Sequence, residues 1–220
     1  MFIKSAREIK SMRAAGKIVA ETLEKIKEVI RPGITTKELD QIAEEYIRKN
    51  NGIPAFLGYQ GYPSNICASV NEEVVHGIPS KRVLKDGDIV SIDIGAFYDG
   101  YCGDAARTFG VGNISKKAER LIKITKESFF AGIAMAREGN RLYDVSHAIQ
   151  THVESNGYSV VRALVGHGIG KKMHEEPQVP NYGIPGKGPR LIAGLTLAIE
   201  PRVNEGDFQV KTLSDGWTVV

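Results

Sequence analysis

The chain carries one pattern twice, and that constrains its fold more than any other feature. "PGITTKELDQIAEEYIRKNNG", from Pro32, is matched by "EGNRLYDVSHAIQTHVESNG", from Glu138. Gly33 aligns with Gly139, Glu38 with Asp144, Leu39 with Val145, Ala43 with Ile149 and Ile47 with Val153, and each copy ends at Asn-Gly. "LKDGDIVSID" (Leu84 to Asp93) aligns in turn with "LIAGLTLAIE" (Leu191 to Glu200), which shares its leucine, its glycine, its apolar alternation and its final carboxylate. A period this long means two related halves, about 5–112 and 115–220, within one domain spanning 1–220, and not a solenoid of short repeats. It also sets Asp93 and Glu200 at equivalent strand positions.

The elements follow from periodicity. Ile9, Met12, Gly16, Val19, Leu23, Ile26 and Ile30 recur in steps of three and four, one apolar stripe on a helix from about Ser5 to Ile30. Arg31-Pro32-Gly33 ends it, and Thr35 or Thr36 caps a second helix that closes at Asn51-Gly52. "DGDIVSIDIGAFYDGYCGDAARTFGVG" predicts two strands joined at Asp99-Gly100, a strong hairpin dipeptide. A long helix over about Lys116 to Arg137 follows. The elements read together as an α+β fold with two pseudo-symmetric halves.

The strand before the turn contains Asp93, and the strand after it Asp104. A buried carboxylate needs a charge partner, hydrogen bonds or a metal. With Asp99-Gly100 as the turn, Tyr98 pairs with Tyr101 and Gly95 with Asp104, so Asp93 and Asp104 lie diagonally on one face, roughly 7–8 Å apart at the backbone. Gly95 is expected to leave the space between them open. If the halves face each other, Glu200 joins the pair, and three converging carboxylates call for cations. Two divalent metals bridged by carboxylates would meet that need. "VGHGIG" adds His167 as a nitrogen ligand between glycines, and His76 and His174, after strand-like runs, are placed to line the same cleft. His147 and His152 lack ligand spacing and read as surface or packing residues. Cys67 and Cys102 are in no CxxC motif and read as small apolar fillers. "GIPGKG" lacks the strand and the Lys-Ser/Thr ending of a phosphate-binding loop.

Composition excludes other classes. A net charge of +3, with lysines and glutamates interspersed, does not call for nucleic acid, and no apolar run approaches the ~18 residues of a membrane span. "MFIKSAREIK" has no apolar h-region, so no signal peptide is expected. A cytoplasmic location is the expectation.

The motifs "NEEVVHGIP", "DIGAFYDGYCGDAARTF", "VGHGIGKKMHEEPQVPNYG" and "LAIEP", in that order, resemble those of the type I methionine aminopeptidases, and the resemblance extends from the first helix to Val220. It implies the pita-bread fold, with two pseudo-symmetric halves, a curved antiparallel sheet and outer helices. It implies metal-dependent removal of the N-terminal methionine from nascent polypeptides at the ribosome, in the cytoplasm, by a monomer that needs neither nucleic acid nor membrane. Carried onto this sequence, Asp93, Asp104, His167 and Glu200 would bind two divalent ions, and mixed N/O ligation suits Co, Mn, Fe or Zn. His76 and His174 would contact the peptide substrate, with Glu200 also relaying protons. Tyr59, Tyr62, Cys67, Met173 and Trp217 would line the methionine pocket, with Met173 in place of the more usual aromatic and Phe56 where some members have a cysteine. The family's further glutamate ligand follows "DGWTV" on a strand, whereas this sequence stops at "DGWTVV" and reads as truncated there. Glu205, Asp207 and Asp215, the only later acids, read as solvated loop residues. An Xaa-Pro-type dinuclear aminopeptidase and a non-catalytic pita-bread binding protein are the alternatives.

Overall fold

A computed structural model describes residues 2–220. Two compact units emerge, one of residues 7–116, 170–173 and 211–220, the other of residues 2–6, 117–169 and 174–210. No helix among the described residues is long and apolar enough to cross a membrane.

In the first unit the apolar stripe forms helix α1 (Ala6–Val29), which buries Ala15, Ile18, Val19, Leu23 and Ile26. Helix α2 (Thr36–Lys49) begins at a reciprocal cap. Glu38 N donates to Thr35 Oγ1 at 3.2 Å, and Thr35 N donates to Glu38 Oε2 at 2.8 Å. That satisfies two of the donors a helix start leaves open. Strands β1 (Ile53–Pro54), β2 (Ile66–Val70), β3 (Ile89–Tyr98) and β4 (Tyr101–Gly110) form an antiparallel sheet in which β4 pairs with β3 along its length. Asp99 and Gly100 both take positive φ, +50° and +76°, as a two-residue hairpin turn of this hand requires. Tyr98 pairs with Tyr101 and Gly95 with Asp104, the register the turn dipeptide predicts. Leu39, Ile47, Ile66, Leu84, Ile92 and Ile94 are buried in the core of this unit, between the helices and the sheet.

The second unit has helices α3 (Lys116–Met135) and α4 (Leu142–Ser155) and strands β5 (Ser159–Val160), β6 (Gly166–Gly168), β7 (Glu175–Val179), β8 (Leu197–Ala198) and β9 (Val203–Asn204). β7, β6 and β8 make one antiparallel sheet, and β5 pairs with β9. Its core gathers Ile124, Leu142, Val145, Ile149, Val153 and Leu191.

The repeat is visible in the backbone of each unit. Gly33 and Gly139 have φ of +95° and +93°, and Gly87 and Gly194 of +92° and +91°. Leu84 N donates to Ile34 O at 2.8 Å, and its counterpart Leu191 N donates to Asn140 O at 2.8 Å. One expectation fails: "LIAGLTLAIE" forms only the two-residue β8, whereas its counterpart enters the ten-residue β3. β3 has strand partners on both sides, and β8 pairs with β6 alone. A strand with one short neighbour lacks the ladder that holds it extended.

Candidate active site

The hairpin carries the first two candidate ligands. Asp93 and Asp104 are half-buried and on one face of β3–β4, because Gly95, which pairs with Asp104, shares the face of Asp93. The space above Gly95 is not open as expected. A Cβ there would lie 2.6 Å from Phe56 Cε1 and 3.0 Å from Ala55 Cβ. Gly95 is therefore the seat of the Phe56 ring, and Phe56 closes the gap beside the carboxylates. Cys67 stands directly across from Asp93 on β2. Burial first, and then the negative field of Asp93, push its thiol well above the usual range, so it is a neutral filler at pH 7. Cys102 is buried and shifted the same way.

Two aromatic residues of the expected methionine pocket meet in the same unit. The Tyr62 and Trp217 rings are edge-to-face, 5.0 Å apart at 76°. Tyr62 is buried and its one hydroxyl proton is shared between two carbonyls, Ile66 O at 3.1 Å and Gly77 O at 3.0 Å. Trp217 is placed by a residue read from sequence as a solvated acid. Asp215 Oδ1 accepts from Trp217 N at 2.8 Å and Thr218 N at 2.9 Å, and its Oδ2 accepts from the Thr218 hydroxyl at 2.6 Å. These bonds lower the Asp215 pKa. Val219, next in line, forms a bridge with Val75, beside His76. His76 has φ +60°, a left-handed conformation uncommon outside glycine and typical of positions fixed for function. Met173 is buried and Tyr59 half-buried.

The second unit contains His167 and Glu200, a candidate nitrogen ligand and a further candidate carboxylate. His167 is buried, and its Nδ1 lies 2.9 Å from Gly168 O. A carbonyl only accepts, so Nδ1 carries a proton, and in the neutral ring Nε2 presents a lone pair. That Nε2 is 3.1 Å from Glu200 Oε1, a buried oxygen with no hydrogen-bond partner besides this ring. Facing lone pairs need a proton or a cation between them. Two donors bound at about 2.1 Å and at right angles on one ion would be about 3 Å apart, so the pair fits a divalent metal. The other Glu200 oxygen accepts from Arg202, and the Glu200 carbonyl accepts from Asn181 Nδ2 at 2.7 Å. Burial raises the Glu200 pKa, but the Arg202 charge, followed by His167 and His174, outweighs it and keeps the carboxyl ionised. His174 is exposed and sets its ring 4.2 Å from that of His167, at 66°. His147 is exposed and His152 contacts Glu127 at 3.3 Å, so neither joins this group. Sequence reasoning missed Arg202, for which a basic residue two places after a carboxylate ligand was the only signal.

Residues 10–219 match the model of metallopeptidase family M24. The chain belongs to that family. Within it, the chain is 60% identical to a methionine aminopeptidase of Clostridium acetobutylicum, across 100% of this chain and 88% of that protein. It is 59% identical to methionine aminopeptidase 1 of Bacillus subtilis, across 99% and 88%. The crystal structure of a methionine aminopeptidase from Thermotoga maritima superposes with a TM-score of 0.98 at 50% identity, covering 100% of this chain and 89% of that one. The prolidase of Pyrococcus furiosus is more distant, with a TM-score of 0.77 at 25% identity over 90% of this chain and 57% of that one. The pita-bread expectation therefore holds, as M24 members of two specificities share this fold. These three methionine aminopeptidases align along the whole chain, at twice the identity or more.

Proposed function

We propose that this M24 chain removes the N-terminal methionine from peptides, with Asp93, Asp104, His167 and Glu200 holding two divalent ions drawn from Co, Mn, Fe or Zn. The observation that carries this reading is the 60% identity to a methionine aminopeptidase across the full chain. When bound, the ions supply Lewis-acid polarisation of the scissile carbonyl and activation of water. The residues of the chain do the rest. Tyr62 and Trp217, with Cys67, Met173 and Tyr59, form an apolar site with aromatic edges, which suits a thioether. His76 and His174 orient the peptide and donate to the oxygen that gains charge. Glu200, kept ionised by Arg202, accepts a proton and returns it to the leaving amine. We further assign the chain to the cytoplasm, as a monomer acting on nascent polypeptides at the ribosome, without nucleic acid or membrane.

The test is a titration of metal-free protein with each ion, followed by hydrolysis of Met-Ala-Ser and of an Xaa-Pro peptide. Release of methionine with little cleavage of Xaa-Pro is expected. A preference for Xaa-Pro would move the chain to the prolidase-like specificity, and metal binding without either activity would make it a non-catalytic binder.

A further inference from the structure

The second unit holds one more buried charge pair, between residues not singled out by sequence. Lys4 Nζ lies 2.6 Å from Glu175 Oε2, and the two side chains are only 5% and 6% exposed. Lys4 Nζ also donates to Phe2 O at 3.1 Å, and Lys4 N donates to Gly194 O at 2.8 Å. The fit at Gly194 is close: a Cβ there would lie 2.7 Å from both Ile3 Cγ2 and Lys4 O. The segment around Lys4 is thus packed against the turn that leads into β8 and on to Glu200, and its ammonium reaches the first residue of β7.

That first residue is the neighbour of His174. Glu175 opens β7 and pairs with Gly168, the residue after His167, at a point where the ladder shifts register between His167 and Gly168. At that shift the Lys4 ammonium adds a side-chain anchor to the strand start. A buried ion pair is a poor choice for stability alone, because an apolar pair of similar volume does as well or better. It is a good choice where one geometry must be held, since its attraction is lost when either partner moves.

We propose that Lys4 is a positioning residue of the active site: through Glu175 it fixes the start of β7, and with it the His174 imidazole against His167. The proposal rests on the aminopeptidase reading for its kinetic consequence, but not for its structural one. Lys4 is 171 residues from Glu175 in sequence, so nothing local links its replacement to His174.

The experiment uses the full chain with Lys4→Met, and with the double variant Lys4→Met/Glu175→Met, which leaves no unpaired charge buried. In metal-free protein, Lys4→Met is expected to move the His174 imidazole resonances, assigned by their loss in His174→Ala, and to leave those of His147 and His152 in place. In metal-loaded protein, Lys4→Met is expected to lower kcat on Met-Ala-Ser by roughly tenfold to a hundredfold, as for a small misplacement of a reacting group. KM should stay within about threefold and metal content should be unchanged. The double variant should regain the wild-type melting temperature without regaining kcat. Unmoved His174 resonances, or a kcat that returns with stability in the double variant, would overturn the proposal. If metal-loaded wild type cleaves no methionyl peptide, the aminopeptidase reading fails, and the resonances alone decide: movement of His174 supports the positioning role and its absence rejects it.

Discussion

Gly103 points at the backbone of Ala15 and Gly16 where α1 crosses β4, whereas Gly16 points into open space, and the same substitution at each glycine should have opposite effects. A Cβ on Gly103 would lie 2.6 Å from Gly16 N, 2.7 Å from Ala15 C and 2.8 Å from Gly16 Cα. All three are backbone atoms, and no rotamer change relieves them. Ordinary carbon contacts begin near 3.5 Å, so Gly103→Ala must push helix and strand apart by about 0.7–0.9 Å. The helix side of the contact buries Ala15, Ile18, Val19, Leu23 and Ile26, so the shift loosens the core of the unit. Overpacking of this kind costs about 1–3 kcal/mol, and rigid backbone on both sides argues for the upper end. A Cβ on Gly16 meets nothing within 4 Å. Gly16→Ala therefore gains helix propensity, up to about 1 kcal/mol. At roughly 2–4 °C per kcal/mol for a chain of this size, Gly103→Ala should melt about 6–12 °C lower and Gly16→Ala about 2–4 °C higher. Thermal melts followed by far-UV circular dichroism read both. A Gly103→Ala midpoint within a degree of wild type would refute the close approach of α1 and β4, and a loss of stability in Gly16→Ala would refute the assignment of its open side.

Asp93→Asn and Asp104→Asn should each lose metal, read by elemental analysis, while keeping the wild-type circular dichroism spectrum, since each removes a negative charge from a crowded face; full occupancy in either would remove that residue from the ligand set. His76→Ala should depress turnover with metal content unchanged, and a parallel loss of metal would make His76 a ligand. Both cysteines, buried and shifted towards the neutral thiol, should react with iodoacetamide at pH 7 no faster than the protein unfolds; rapid labelling would contradict their burial. The Asp215 pKa is lowered in the fold, so its contribution to stability is present above the unfolded carboxylate value and is lost as pH falls through the folded one. Asp215→Ala should therefore be less stable than wild type at pH 7, with the gap closing in acid below the unfolded value. The chain has one tryptophan, Trp217, so its fluorescence follows the turn directly, and a gap that widens in acid would reverse the assigned sign.

Much of the fold was legible because its signals are local. The Asp99-Gly100 dipeptide set the hairpin register to the residue, and the threonine pair Thr35-Thr36 marked the start of α2, where Thr35 is the cap. The repeat could be read because the conformations it needs, such as the left-handed Gly33 and Gly139, select a residue type visible in sequence. What was missed depends on partners distant in the chain. Gly95 was read as a gap, but it is a contact, because the Phe56 ring that fills it comes from another segment. The reading of Asp215 holds: it is exposed in a turn, and the three bonds it accepts come from Trp217 and Thr218, only two and three places on. The second copy of the β3 sequence pattern shortened to β8 because pattern records which face is apolar, not whether a neighbouring strand is there to pair with.

The electrostatics of the two units sort their ionisable groups by role. Burial pushes the Cys67 thiol and the Glu200 carboxyl in the same direction, towards the neutral form. What separates them is the charge each meets. Cys67 stands across from Asp93, whose negative field adds to the effect of burial, and it stays a thiol. Glu200 meets the Arg202 guanidinium and two imidazoles, which overcome burial, and it stays a carboxylate. A thiolate beside Asp93 would be a strong, soft ligand and would compete for any cation the carboxylates attract. Kept neutral, the same sulfur is only a small apolar surface. Burial first, and then the field of the carboxylate one strand away, keep that thiol neutral.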